Sequence, residues 1–299
     1  MNNASQYTEN NYWKRVGYVR IEMSDGSMKS FGGSSGDGLD FKFQIEKFAS
    51  NITVGFSVSI LGLSVQTINE LTVWDTVKAY KRRRKIEVYA GYEDSGIHSP
   101  LVSGFIINAI PSPPPDMWLN MECMGNSAIY SLVDSPIVLQ NKTREEIVNY
   151  VAGLLGMKVE WNVKQSNKNR VVRAFTIEGS VERIIDNITN GFDIVLIMSA
   201  DRIIAYDKNF YNNPSAKLDS KVVDKERGLL ALGNVTLVGA DITVRLNDLY
   251  RLLDWVDLRS TLIPNANGLY VISRLIHVGH FRGKEWHTQL NMFRKSGRQ

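Results

Sequence analysis

Along LDFKFQIEKF, apolar and polar residues alternate strictly. Leu39, Phe41, Phe43, Ile45 and Lys47 share one face, and Asp40, Lys42, Gln44 and Glu46 share the other. Period two is the signature of a half-buried strand. Shorter runs on either side read the same way. YVRIEM and MKSF flank the Gly-containing turn SDGS as a hairpin, and ITVGFSVSILGL, IEVYAGY, LVSGFIINAI and WLNMECMG add further strands. The pattern breaks once for a short helix, SVQTINELTVW (64–74), capped by Ser64. PSPPPD (111–116) reads as a stiff polyproline-like connection. Several short strands around one small helix predict a β-barrel or sandwich.

The period then changes. In TREEIVNYVAGLLG, Thr143 and Glu146 have capping-box spacing, and Ile147, Val151, Leu154 and Leu155 fall on one helical face. Gly156 is placed to close the helix in a left-handed conformation. SVERIIDNITNG repeats the plan, with Ser180 as cap, Val181, Ile184, Ile185 and Ile188 inward, and Gly191 as stop. MKVEW, VVRAFTIE, FDIVLIMS and RIIAYD are strands, the last two joined at SADR, so 131–212 reads as a small α+β unit.

After the polar linker NNPSAKLDSK the strands return as LLALGNVTLVG, ADITVRLN, WVDLRSTLI, LYVISRLIHVG and EWHTQLNMF. The turn NANG (265–268) offers Asn and Gly for positive φ. The expected fold is mainly β with an α+β insert: a first β unit over 1–130, the α+β unit over 131–215 and a second β unit over 216–299.

Composition narrows the function classes. In 299 residues, Lys plus Arg (35) exceeds Asp plus Glu (31) by four, and much of that excess sits in KRRRK at 81–85. So mild a balance does not imply nucleic acid. The polar N-terminus has no apolar core of a signal peptide, and no run reaches the roughly 20 apolar residues that span a bilayer. With Cys123 as the lone cysteine, neither an intrachain disulfide nor a Cys-based zinc cluster can form. The expectation is a protein that folds in a cytoplasm.

The candidate chemistry is sparse. GGSSGDG (32–38) has neither the Lys-Ser/Thr nor the helix of a phosphate loop, and reads as a loop tip. Lys81, Arg82, Arg83, Arg84 and Lys85 form either a solvated loop or a docking patch for an acidic partner. Glu145, Glu146, Glu182 and Asp186 sit on the polar faces of the two helices, where solvation rather than a tuned acid pair is expected. RLIHVGHFRGKEWHTQL holds His277, His280 and His287. A hairpin across GHFRGK would set His277 nearly opposite His287, with His280 in the loop. The ligand count falls short of a zinc site, however, so the histidines read as structural. No catalytic, cofactor-binding or metal site is expected.

NGLYVISRLIHVGHFRGKEWHTQLNMF resembles the closing hairpin of contractile-tail phage baseplate hub proteins, the late control protein D-like tail hub family. The matching residues are Gly268, Tyr270, His277, Gly279, Trp286, Thr288 and Leu290; where the family often has Asp after that glycine, this chain has His280. LDFKFQIEKFASNITVGFSVSILGLSVQTINEL resembles the family's first barrel, and IEVYAGY with LVSGFI its Ala-Gly-Tyr and Gly-apolar strand pair. The resemblance implies two tail-tube-like β-barrel domains flanking a small α+β domain. It further implies a structural hub forming a homotrimer that adapts a hexameric tail tube to a trimeric central spike. The implied partners are the spike, the tube protein, other baseplate proteins and the tape measure protein, with no membrane and no specific nucleic acid. The implied place is the virion tail baseplate, with assembly in the host cytoplasm. The alternatives beside it are a hub-associated peptidoglycan hydrolase using Glu182 and Asp186, a metal-dependent hydrolase using the three histidines, and a β-rich protein binding carbohydrate or nucleic acid through the basic run and exposed aromatics.

Overall fold

A computed structural model describes residues 14–33, 38–48, 54–72, 84–93, 96–97, 99–125, 132–198, 202–209 and 220–294. Most strands join one sheet, antiparallel except where Lys221–Val223 runs parallel to Trp255–Leu258. In chain order its first members are β1 (Arg15–Glu22), β2 (Met28–Phe31), β3 (Asp40–Phe48), β4 (Gly55–Leu61), β5 (Lys85–Tyr92), β6 (Val102–Pro111) and β7 (Trp118–Gly125). Its later members are β13 (Lys221–Val223), β14 (Leu229–Val235), β15 (Gly239–Arg245), β16 (Trp255–Leu258), β17 (Gly268–His280) and β18 (Trp286–Arg294). The hydrogen-bonded path runs β14-β15-β18-β17-β3-β4-β7-β6-β5-β1-β2. Among the described residues this path is open, ending at β14 and β2, and no closed barrel forms.

The alternation read from the sequence sets the register. Phe41, Phe43 and Ile45 of β3 are buried while Lys42 and Gln44 are exposed, and Val19, Ile21, Val58, Ile60, Ile86 and Val88 join them in one apolar core. The short helix α1 (Val65–Leu71) closes this core with Ile68 and Leu71, its first turn capped by Ser64 accepting from the Thr67 N–H. PSPPPD is a compact turn: the Ser112 N–H reaches the Trp118 carbonyl at 2.8 Å, and the Ser112 hydroxyl reaches the Asp116 carbonyl at 2.8 Å.

β17 is the strand on which the architecture turns. One edge pairs with β18 along most of its length. Along the other, Gly268–Val271 pairs with β16, whereas Arg274–His280 pairs with β3. The register slips between Ile272 and Arg274, a bulge at Ser273 whose hydroxyl donates to the Asn291 carbonyl at 3.0 Å. A bulge bends and twists its strand, so one hairpin feeds two cores. Tyr270, Ile272, Leu275, Leu290 and Met292 belong to a second core with Val223, Ile242 and Trp255, whereas Trp286 at the hairpin tip belongs to the first.

The middle segment builds β8 (Leu132–Thr143) against β10 (Val171–Ser180), and β9 (Lys158–Asn162) parallel to β12 (Arg202–Asp207), which pairs with β11 (Ile194–Met198). Helices α2 (Arg144–Leu154) and α4 (Val181–Phe192) pack on these strands, with a four-residue turn, α3 (Gln165–Lys168), between β9 and β10. The capping box forms as expected: Thr143 Oγ1 accepts from the Glu146 N–H at 3.1 Å, and Glu146 accepts from the Thr143 N–H at 2.8 Å. Lys142 and Thr143 together hold the Glu146 carboxyl down to about 2. Gly156 follows α2 at φ +65.

Three expectations change. Leu154 is exposed, and Val148 and Ala152 are buried with Ile147 and Val151 instead. α4 runs through Gly191, because Phe192 is drawn into the core, and Asp193 takes the left-handed position at φ +55. In NANG only Gly268 has positive φ (+147). Asn267 is extended, and its side-chain amide accepts from the Ser260 N–H at 2.6 Å and donates to the Ser260 carbonyl at 3.1 Å. Ile197, Ile204 and Tyr206 of β11 and β12 pack into the second core, so the middle segment is seated on the C-terminal strands. Among the described residues no helix is long and apolar enough to cross a membrane.

Candidate functional site

The seam between β3 and β17 has two unlike ends. At the first, Phe41, Phe43, Phe281 and Trp286 form an aromatic cluster, Phe41 stacking on Phe281 at 5.4 Å and Trp286 meeting Phe43 edge-on at 5.7 Å. Gly279 makes this possible: a Cβ there would lie 2.3 Å from the Phe43 ring. Trp286, 3% exposed, donates its indole N–H to the Gly91 carbonyl at 3.1 Å, and the Tyr92 hydroxyl donates to the Trp286 carbonyl at 3.3 Å. The Ala-Gly-Tyr strand and the Trp-x-Thr strand, far apart in the chain, thus interlock. Arg15 closes the end from outside, donating to the carbonyls of His280 (3.1 Å) and Gly283 (2.5 Å) with its guanidinium 5.5 Å from the Trp286 ring.

The histidines part company here. His277 pairs across the hairpin with Thr288, and His287 pairs with Val278. That one-residue offset from the expected opposition turns the two rings to opposite faces of the sheet. His277 is buried, with Nδ1 at 2.8 Å from the Thr288 hydroxyl. Burial, then the charge of Lys47, push its pKa well below the ordinary value. Burial also lowers that of His287, which lies 3.3 Å from Gln289. His280 Nε2 meets Asp40 of β3 at 2.9 Å, and Asp40 also accepts from the Arg282 N–H at 3.0 Å. The acid facing this loop therefore comes across the seam. Among the described residues no group of three or more His, Cys, Asp or Glu side chains is arranged to hold a metal.

The second end opens into a cleft of about 500 Å³. Its floor is Lys47, Leu275 and His277, and its walls come from β5 and β6, from the turn after α2, from β11 and β12, and from the loop holding Asp248 to Leu252. Lys47 continues the buried face of β3, and its ammonium donates to the Leu101 carbonyl at 2.6 Å. Burial, then the Arg251 charge, bring its pKa down to about 8. Sequence reading missed this group, although the signal was present: Lys47 is the only charged residue on the apolar face of the alternating run. Arg15 and Arg251 carried no such signal.

The other sequence candidates lie apart from the seam. Lys81, Arg82 and Arg83 fall outside the described residues. Arg84 lies 3.6 Å from Glu70, and Lys85 lies 2.7 Å from Glu87. Glu145 pairs with Lys168 at 2.8 Å, while Glu182 and Asp186 are exposed on α4. Of the GGSSGDG loop, 34–37 lie outside the described residues, and the Gly38 carbonyl accepts from Arg282. At the β14 end of the sheet, two apolar tips stand out, Leu237 (93% exposed) and Leu262 (89%). Arg294 ties their loops together, its N–H reaching the Val238 carbonyl at 2.7 Å and its guanidinium the Asn267 carbonyl at 3.2 Å.

The fold is shared with known tail proteins. The 43 kDa tail protein of prophage MuSo2 from Shewanella oneidensis superposes with a TM-score of 0.60 at 12% identity, covering 93% of this chain and 97% of that one. A tail protein from Neisseria meningitidis gives 0.62 at 11%, again over 93% and 97%. An Escherichia coli component of the type VI secretion system, described as structurally similar to the T4 tail proteins gp27 and gp5, gives 0.55 at 8% over 86% and 74%. A sequence search of curated proteins finds no match. The baseplate hub gp41 family matches residues 18–291, a span that takes in the seam, the middle segment and the closing hairpin, and the chain belongs to that family.

Proposed function

We propose that this baseplate hub protein acts as a ring-forming adaptor in a contractile tail or related injection particle. Two tail-tube-like barrel domains, within 1–130 and 216–299, flank the α+β domain of 131–215 and share the β17–β18 hairpin. Three copies present six similar units to a hexameric tail tube, and the opposite face receives the trimeric central spike. Other baseplate proteins and the tape measure protein complete its contacts, with Lys81–Lys85 as part of one docking surface. Its work is contact rather than chemistry, and any wall cleavage belongs to a partner.

The observation that carries this reading is the pair of open sheet edges. β14 and β2 each lack a neighbour on one side among the described residues, and apolar side chains stand out beside β14. An uncovered edge is an invitation to pair with another chain, and a closed ring satisfies every edge without growing into a filament. Native mass spectrometry of the untagged chain, alone and with the particle's spike protein, tests it. A metal-free trimer is expected in at least the second sample. A chain that stays monomeric with the spike present, or carries a stoichiometric metal ion, overturns it.

A further inference from the structure

The cations around the cleft are matched to acids, except one. Lys85 lies 2.7 Å from Glu87, Arg202 lies 3.4 Å from Glu160, and Arg251 lies 3.9 Å from the same carboxylate. Asp248 accepts from the backbone and hydroxyl of Ser99 at 2.8 and 3.2 Å. Lys47 has the Leu101 carbonyl at 2.6 Å, and no carboxylate of the described residues forms an ion pair with it. A half-buried charge without a countercharge carries a cost, and an ammonium that keeps donors to spare in an open cleft is a receptor for an anion. The walls narrow the choice. They set apolar side chains beside polar and charged ones, and Met157 and Met198 give them the adaptable surface that suits a side chain of variable shape. A volume of about 500 Å³ lies within the range of sites that enclose a ligand rather than an ion.

We infer that this cleft receives a short acidic-apolar peptide segment of a partner protein. A carboxylate of that segment seats on the Lys47 ammonium, and the neighbouring apolar side chains fill the wall of Leu101, Phe105, Met157, Met198 and Leu252. The choice of a peptide rests on membership of a baseplate family, whose business is protein contact. It does not rest on ring formation, so the two readings fail separately. An occupant would also clamp the regions that meet here, because the cleft walls come from the first strands, the middle segment and the C-terminal strands alike.

The test uses the full chain in whatever oligomeric state it adopts, with N-acetylated tripeptides of Leu, Phe and Met as probes. Each is titrated calorimetrically with a free C-terminal carboxylate and again as the amide. At least one acid form is expected to bind with a stoichiometry of one per chain, about tenfold or more tighter than its amide. Its affinity should fall as the pH rises past about 8, where Lys47 gives up its proton. Lys47→Met should abolish the preference for the acid, and Lys42→Met, on the exposed face of the same strand, should keep it. Absence of binding by every acid form overturns the inference, as does equal binding of acid and amide. Acetate or inorganic phosphate binding as tightly as the peptides reduces the cleft to a simple anion site and overturns the peptide.

Discussion

The two ends of the β3–β17 seam are built from the same pair of strands and solve opposite problems. At the aromatic end Asp40, His280, Trp286 and Arg15 all find partners within hydrogen-bond distance, and the rings interdigitate over Gly279. Four residues past Phe43 along β3, Lys47 sits on the same inward face as that ring with only a carbonyl for company. One end is optimised for stability. The other retains a charged group in a place where an apolar one would cost less, the usual mark of a position kept for something other than folding.

The comparison breaks most severely at Trp286. Trp286→Ala removes the ring that touches Phe41, Phe43 and Phe281, and leaves the Gly91 carbonyl and the Arg15 guanidinium without their contact. The expected loss is about 3–5 kcal/mol, the range for deleting a large buried aromatic, read as a lower urea midpoint with the slope unchanged. A loss under about 1 kcal/mol would mean the hairpin tip is not seated in the first core.

At the other end the sign reverses. Lys47→Met keeps the stem and deletes the unmatched charge, so it should stabilise the chain by about 1–3 kcal/mol at pH 7. The folded-state pKa of about 8 lies below the unfolded value of about 10.4. Below pH 8 both states hold the proton, and the folded chain bears the full penalty. Between about 8 and 10.4 the folded state has already released it, so wild-type stability recovers and the gap to Lys47→Met should close. A gap constant from pH 7 to 10 would show that the ammonium is not desolvated, and the contrast between the two ends would vanish.

How much of this was legible in the sequence follows the range of the signals. α2 and α4 were readable because their caps are local: Thr143 with Glu146 and Ser180 with the Arg183 N–H act within one turn. The end of α4 was misread because burial of Phe192 outweighed the glycine at 191, a tertiary preference no local rule contains. Alternation marked β3 and its inward face, Lys47 included. β13, three residues paired in parallel with β16, lay hidden beside a polar stretch. What no periodicity encodes is partner choice. That β17 leaves β16 for β3 at the Ser273 bulge depends on a pairing more than 200 residues apart in the chain, and that His277 faces Thr288 rather than His287 is set by the turn register of the β17–β18 hairpin. The resemblance motif supplied part of what periodicity could not. Tyr270 donates its buried hydroxyl to the Ala266 carbonyl at 2.6 Å, and Gly279, Trp286, Thr288 and Leu290 all line the seam or the cores beside it.

The smallest effect belongs to the hydrogen-bonded pair that closes the aromatic end. Asp40 touches both His280 at 2.9 Å and the Arg282 N–H at 3.0 Å, with 10% of its side chain exposed. Asp40→Asn keeps the shape and an acceptor for Arg282 while removing the charge, so the loss should be about 1 kcal/mol, more than a fully exposed pair and far less than Trp286. The loop from His280 to Lys284 should nonetheless open more readily, because Asp40 holds it from one side and Arg15 from the other. Amide exchange separates the two outcomes: faster exchange confined to this loop is expected, with β17 unchanged. Faster exchange spreading along β17 to Leu275 would mean that the aromatic end and the cleft end unzip together, so that a ligand in the cleft would also tighten the hairpin tip.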